Sequence, residues 1–292
     1  MFLLECCVDS VESAMAAVAG GANRLELCGN LPIGGTTPEP ALLRQIRRRF
    51  VEEGIHWVEI RCLIRPRFGD FCYSEAEMDV MEDAIKELRE CGADGFAIGV
   101  LRPDGSLYEM KMKRLIKAAD GLPITLHRAF DMCKDPTRAM ETAISLGIDT
   151  ILTSGQEASA EKGVITLARL HTLAAGRIHI MAGAGINAEV IQQLYPETGI
   201  HTWHMSGKVT IESKMRYRQM GVSMGLPSMS EYEIWRTSEQ KVRQAAEVLH
   251  CFQKNCSDSL RRQRQAVWKN CRNERDSMRH GADRHRRRNV RQ

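Results

Sequence analysis

The chain has 292 residues, of which 43% are hydrophobic and 27% are charged. That is enough apolar material for one large core, and no stretch of about 18 consecutive apolar residues is present to cross a membrane. The formal net charge of +4 is unevenly spread, because residues 257–292 hold twelve Lys or Arg against four Asp or Glu. We therefore expect a soluble, cytoplasmic globular domain over residues 1–254, without a membrane partner, and a basic tail over residues 255–292.

The basic tail is rich in Arg, Asn and Gln and poor in apolar residues, which predicts disorder or a marginal helix. Its run His285-Arg286-Arg287-Arg288 can contact nucleic acid or an acidic partner through charge. A solvated extension without such a partner is the simpler interpretation. The ten cysteines follow no disulfide framework and no secretory signal is present, so we expect reduced thiols.

Strand-like apolar segments alternate with helical segments along the globular domain. The predicted strands are residues 2–8, 24–29, 57–64, 95–101, 124–130, 150–153, 178–181 and 202–206. Helices are expected after each of the first two strands and over residues 74–91, 109–120, 136–146, 159–175, 187–195 and 237–253. Eight strand–helix units favour a (β/α)8 TIM barrel over a doubly wound sheet, since no dinucleotide-binding fingerprint follows the first strand.

The first two predicted strands share the pattern Glu-x-Cys, at Glu5 and Cys7 and again at Glu26 and Cys28. Residues two apart in a strand point to the same face, so neighbouring strands would bring two carboxylates and two thiols together. Thiolates are soft ligands that suit Cu(I) or zinc. Alternatively, each Cys is a small buried hydrophobe, although the nearby carboxylates would be costly to bury without partners.

The other candidate residues lie where the predicted strands end, which is where TIM barrels place their active sites. The densest cluster is His127, Arg128 and Asp131, in which His can act as a general acid or base and Arg can hold an anion. An internal ion-pair network is the alternative interpretation. Gly183 and Gly185 after the seventh strand match a common phosphate-binding position, although they also suit ordinary turns. The remaining candidates for shaping the site or binding an anion are Glu5, Glu26, Arg65, Arg67, Ser154, His204, Ser206 and Lys208.

Seven short segments occur together along residues 1–250. They are Glu5-Cys6-Cys7-Val8-Asp9-Ser10, Asn23-Arg24-Leu25-Glu26-Leu27-Cys28, Gly34-Gly35-Thr36-Thr37-Pro38, Ile64-Arg65-Pro66-Arg67, Gly69-Asp70-Phe71, His127-Arg128-Ala129-Phe130-Asp131 and Leu152-Thr153-Ser154-Gly155. In order and spacing, the set resembles the CutC copper-homeostasis family, and its animal members in particular. Met205 departs from that resemblance, because animal members often have Cys at this position.

The resemblance implies a (β/α)8 barrel that assembles as a homo-oligomer, a dimer or a tetramer, in the cytoplasm and in animals also in the nucleus. It implies a role in copper homeostasis, with Cu(I) held by Cys7 and Cys28. The alternative is a TIM-barrel enzyme that acts on a small anionic substrate such as a phosphorylated sugar. In that case His127 would be the general acid or base and Arg65, Arg67 and Arg128 would hold the anion, with no reaction assigned.

Overall fold

Eight parallel strands close into a barrel in the order in which they occur along the chain. The computed structural model describes residues 2–219, 221–222, 224 and 230–254. Helices alternate with the strands, so the predicted (β/α)8 TIM barrel is confirmed. Within the described residues, no helix has both the length and the apolar character needed to span a bilayer.

The strands and helices of the barrel are short and regular. The strands are β1 (Leu3–Val8), β2 (Arg24–Leu27), β3 (Glu59–Leu63), β4 (Gly95–Ile98), β5 (Ile124–Leu126), β6 (Thr150–Thr153), β7 (His179–Ala182) and β8 (Thr202–Met205). The helices are α1 (Val11–Ala19), α2 (Pro40–Glu52), α3 (Glu75–Glu90), α4 (Glu109–Ala119), α5 (Pro136–Ser145), α6 (Val164–Ala174) and α7 (Ala188–Thr198). A further helix, α8, covers residues 239–254.

Local sequence explains where several helices begin and which face they bury. The hydroxyl of Ser10 accepts a hydrogen bond from the Ser13 amide at the start of α1. Ser74 and Glu77 form a reciprocal capping box at the start of α3. The apolar stripe predicted for this helix is buried against the barrel, as its spacing requires; it comprises Met78, Met81, Ile85 and Leu88.

Two predicted boundaries are wrong by four residues or more, and both lie near the carboxyl ends of the strands. The fifth strand ends at Leu126, and Arg128–Met132 forms a 3-10 turn instead of extending the strand to residue 130. His127 begins this turn, because its imidazole accepts a hydrogen bond from the Ala129 amide and thereby bends the chain. Helix α6 begins at Val164 rather than at residue 159.

Two strands outside the barrel have no counterpart in the predicted elements. Strands β9 (Lys208–Glu212) and β10 (Glu233–Thr237) pair in antiparallel fashion and form a separate ribbon. Both belong to the same compact unit as the barrel, Met1–Val248. A second unit, Leu249–Gln292, is described only to residue 254, so the basic tail predicted over residues 255–292 lies outside the described residues.

Candidate active site and thiol cluster

A cavity of about 510 Å³ opens where the carboxyl ends of the barrel strands meet, within the size range of small-molecule sites. Its walls come from strand ends, from the loops that follow them and from the β9–β10 ribbon. The candidate residues that line it are Cys7, Glu26, Arg65, His127, Arg128, Asp131, His204, Ser206 and Lys208. The fold therefore brings together residues from five separate stretches of the sequence.

Cys7 and Cys28 belong to one buried apolar cluster, from which Cys7 lines the cavity and Cys28 does not. The cluster also contains Leu63 and Ala97, with Leu31 packed against it. In the register of β1 and β2, Cys7 lies opposite Glu26, which places Cys28 diagonally beside Cys7 on the inner face. The two thiols are therefore neighbours at the boundary between the apolar core and the cavity.

The thiol of Cys28 is held in its protonated form. It donates a hydrogen bond to Oε2 of Glu26 at 3.5 Å. Burial raises the pKa of Cys28 well above its ordinary value, and the neighbouring Glu26 and Cys7 raise it further. Burial also raises the pKa of Glu26, although His204 partly opposes this change. A cation that binds the Cys28 sulfur would therefore have to displace this proton.

Glu5 lies beneath the cavity floor and connects β1 to both of its neighbours. Its Oε2 accepts a hydrogen bond from Nε of Arg24 at 2.5 Å, and its Oε1 lies 2.6 Å from Nδ1 of His204. Glu5 is only 1% exposed, so its burial opposes ionisation. Arg24 and then His204 outweigh that effect and lower the pKa of Glu5 to about 2. The carboxylate is thus a fixed anion that orients His204.

His204 links this buried ion pair to the thiols. Its Nε2 lies 3.9 Å from Oε2 of Glu26, and the imidazole also interacts with the side chain of Cys7. Burial alone would lower the pKa of His204, but Cys7, Glu5 and Glu26 together raise it well above its ordinary value. A charged imidazole therefore stands between two carboxylates at the cavity floor. Met205 follows in the strand and alternates to the opposite face, in register with Cys6.

His127 presents one ring nitrogen to the protein and leaves the other unpartnered. Its Nδ1 accepts a hydrogen bond from the Ala129 amide at 3.1 Å, whereas its buried Nε2 has no partner among the described residues. Burial and the nearby Arg65 lower the pKa of His127 to about 3. The imidazole is consequently neutral near pH 7. This arrangement suits His127 to donating a hydrogen bond rather than to the general-base role considered from the sequence.

Arg65 is a buried cation that is surrounded by carbonyl oxygens. Its guanidinium donates to the carbonyls of Gly35 and Gly69 at 3.0 Å each, and it lies over the ring of Phe71. Its Nε, also buried, has no hydrogen-bond partner within the described part of the chain. Phe71 contacts the imidazole of His127 as well, with ring centroids 5.2 Å apart. One aromatic ring therefore supports both residues that have an unpartnered donor.

Arg128 and Asp131 pair with each other at the rim, as the internal-network interpretation supposed. Nε of Arg128 donates to Oδ2 of Asp131 at 2.7 Å. Asp131 also accepts hydrogen bonds from the Thr153 hydroxyl and the Ser154 amide. The Ser154 hydroxyl in turn accepts a hydrogen bond from Arg128 and donates to the carbonyl of Glu157. Asp131 therefore anchors the end of β6, and Ser154 is occupied by this network rather than lining the cavity.

Arg67, Gly183 and Gly185 also lie away from the cavity wall. Arg67 is partly exposed and pairs with Glu77 and Asp70, which fixes the loop between β3 and α3. The amide of Gly183 donates to the carbonyl of Thr153 as a continuation of the sheet. Gly185 has a φ of +82°, which makes it a turn residue of the kind that favours glycine. The phosphate-binding role considered for the glycines has no support from the cavity lining.

The ribbon contributes wall residues that the sequence interpretation missed. Trp235, Arg236 and Thr237 of β10 line the cavity beside Lys208, whose Nζ lies 3.4 Å from the centroid of the Trp235 ring. The alternating segment Glu233–Thr237 carries a strand signal, but its partner strand is some twenty residues earlier in the chain. Phe71 and Asp9 also line the cavity and were not among the candidates.

The chemistry of the donors limits which ions could bind. All cysteines in the described segments are free thiols. Within those same segments, no group of three or more His, Cys, Asp or Glu side chains is arranged to hold a metal ion. A structural zinc site needs four such ligands. The pair of thiols fits a soft monovalent ion such as Cu(I) better than zinc.

Comparison with known proteins identifies a family model and several relatives that carry the name CutC. The CutC family model matches residues 2–209. A Bacteroides thetaiotaomicron protein named "family protein CutC" is 44% identical over 242 residues, which cover 82% of this chain and 95% of that protein. The human "copper homeostasis protein cutC homolog" is 42% identical over 243 residues, covering 83% of this chain and 87% of that protein. The crystal structure of the putative copper homeostasis protein CutC from Streptococcus agalactiae aligns with a TM-score of 0.66 at 29% identity, covering 70% of this chain and 99% of that chain.

Proposed function

Because the chain belongs to the CutC family, we propose that it serves copper homeostasis by binding Cu(I) as cargo between the thiols of Cys7 and Cys28. One observation carries this proposal: both thiols lie in the same buried cluster, from which Cys7 also lines the cavity. Thiolates select Cu(I) over harder ions, and an apolar surrounding limits access of water to the bound ion.

Binding requires that both thiols lose their protons. Burial and Glu26 raise the pKa of Cys28. The free energy needed to remove the thiol proton of Cys28 therefore lowers the net affinity for Cu(I). Oε2 of Glu26, which accepts the Cys28 hydrogen bond, is the nearest base on that path. We therefore expect Cu(I) affinity to fall as the pH falls, with proton release on binding.

The test is an anaerobic titration of reduced protein with Cu(I) against a chromophoric competing chelator. We expect about one Cu(I) per chain for the wild type and its loss in the double variant Cys7→Ser, Cys28→Ser. The double variant Cys6→Ser, Cys62→Ser is the matched control, because both of these cysteines are fully buried strand residues outside the thiol cluster. Equal Cu(I) binding by the two double variants would refute the assignment.

A second candidate function is binding, with or without turnover, of a small anionic molecule in the cavity. The observation that favours it is that Arg65 and His127 each line the cavity and each have a buried N–H group without a partner in the described part of the chain. A ligand that binds only the folded state raises the melting temperature. A thermal-shift screen of small carboxylates and phosphate esters that shows no stabilisation of the wild type would remove this function.

Assembly and location remain predictions of the family resemblance. A homo-oligomer, dimer or tetramer, is expected and can be tested by light scattering of the full chain during gel filtration. Residence in the cytoplasm, and in the nucleus of animal cells, can be tested by imaging the tagged full chain. Neither prediction depends on the cavity residues.

A further inference from the structure

Two buried hydrogen-bond donors at the cavity wall have no acceptor among the described residues. They are Nε of Arg65 and Nε2 of His127, whose residues are 8% and 4% exposed. Buried donors without partners each cost about 1–3 kcal/mol, and such groups are rare in folded proteins. Both residues line the same cavity and pack on Phe71. A single ligand bound there could therefore offer a hydrogen-bond acceptor to each donor.

The hydrogen bond to Nδ1 establishes which nitrogen of His127 carries the proton. An amide N–H can donate only to an unprotonated ring nitrogen, and the Ala129 amide donates to Nδ1. In the neutral imidazole the proton is therefore on Nε2. The absence of a side chain at Gly99 leaves room for this ring, because a Cβ at residue 99 would lie 2.6 Å from Cε1 of His127. His127 is a fixed, neutral donor.

The charge of Arg65 indicates the sign of the missing acceptor. Within the described segments Arg65 makes no ion pair, and its guanidinium is surrounded by neutral carbonyl groups such as those of Gly35 and Gly69. A buried cation without a counter-ion is costly, and an anion bound beside it would remove much of that cost. The apolar part of the cavity wall includes Leu63 and Leu152.

We infer that the cavity binds a small organic carboxylate whose oxygens accept hydrogen bonds from Nε of Arg65 and Nε2 of His127, with its apolar body against the cavity wall. Two donors match the two oxygens of a carboxylate. A phosphate ester fits less well, because it presents three oxygens to the two unpartnered donors and because the turn at Gly185 does not line the cavity. The inference deepens the second candidate function and is independent of the copper proposal.

The test uses three ligands with the same six-carbon chain: hexanoate, the neutral hexanamide and hexyl phosphate. We expect calorimetry of the full chain to detect hexanoate binding, with much weaker binding of hexanamide and hexyl phosphate. Two variants then separate the roles of His127. In His127→Asn the side-chain oxygen can replace Nδ1 and keep the cap, whereas in His127→Gln the amide nitrogen can replace Nε2 and keep the donor.

We expect hexanoate affinity to fall about tenfold or more in His127→Asn and to be largely restored in His127→Gln. A purely structural role would reverse this order, because Asn preserves the cap. Nitrogen-15 NMR of histidine-labelled wild type provides a second readout, which does not depend on the affinity of a variant. The Nε2–H proton of His127, assigned as the signal missing in His127→Gln, should move downfield on addition of hexanoate.

The outcomes distinguish the site from the function. Equal hexanoate affinity in the wild type and both variants, or an unmoved Nε2–H signal, would overturn the proposed site while leaving the second candidate function. Tighter binding of hexyl phosphate than of hexanoate would overturn the carboxylate class. No binding of hexanoate to the wild type would overturn the inference. The second candidate function would be overturned only if the thermal-shift screen of carboxylates and phosphate esters also showed no stabilisation, and the copper titration would be unaffected by either result.

Discussion

Replacing His127 by Asn should make the protein less sensitive to acid. In the folded protein, burial and then Arg65 lower the pKa of His127 from 6.5 to about 3. The unfolded state therefore binds more protons than the folded state between pH 6.5 and pH 3, and the free energy of unfolding falls as the pH falls through that window. Each pH unit well inside the window costs about 1.4 kcal/mol, so this residue alone removes about 2 kcal/mol between pH 7 and pH 5.

The assay is urea unfolding of the full chain at pH 7 and at pH 5, followed by far-ultraviolet circular dichroism. The variant His127→Asn should lose about 2 kcal/mol less than the wild type between the two pH values, whatever its stability at pH 7. Replacement of the exposed His179 by Asn is the control for the loss of a histidine outside the cavity wall. The same pH dependence in wild type and His127→Asn would refute the view that His127 is buried in its neutral form.

Three further results follow from the geometry. Glu5→Gln should lower the free energy of unfolding by about 3 kcal/mol in urea titrations at pH 7, because it removes the closer anion of the buried guanidinium of Arg24 and leaves only Glu59 at 4.0 Å; a loss below 1 kcal/mol would contradict the ion pair. Gly99→Ala should cost about 1–3 kcal/mol in the same assay, because the new Cβ would displace the His127 ring; unchanged stability would show that the ring can move freely. Trp235→Phe should abolish any change in tryptophan emission on anion binding, because Trp235 lines the cavity; a persisting change would place the responsive residue elsewhere.

The sequence determined the architecture because the evidence for a barrel is local and repeated. Alternating strand and helix patterns predict eight units, and the capped amphipathic helix α3 is identified by spacing that does not depend on distant residues. The period of two within a strand likewise predicts that Cys7 and Cys28 share the inner face with their neighbouring Glu residues. Residue types at strand ends also indicated nine of the residues that line the cavity.

Only the tertiary structure decided which of those polar residues are available to a ligand. Arg67 and Ser154 have the same chemistry as lining residues, but contacts with Glu77 and Asp131 occupy them. The ribbon that brings Trp235 to the cavity depends on pairing between distant segments, which no local pattern specifies. The protonation of His127 depends on the hydrogen bond from Ala129 and on burial near Arg65, and both arise only when the chain folds. Sequence periodicity therefore determines the barrel, whereas hydrogen-bond partners and desolvation determine the chemistry at its mouth.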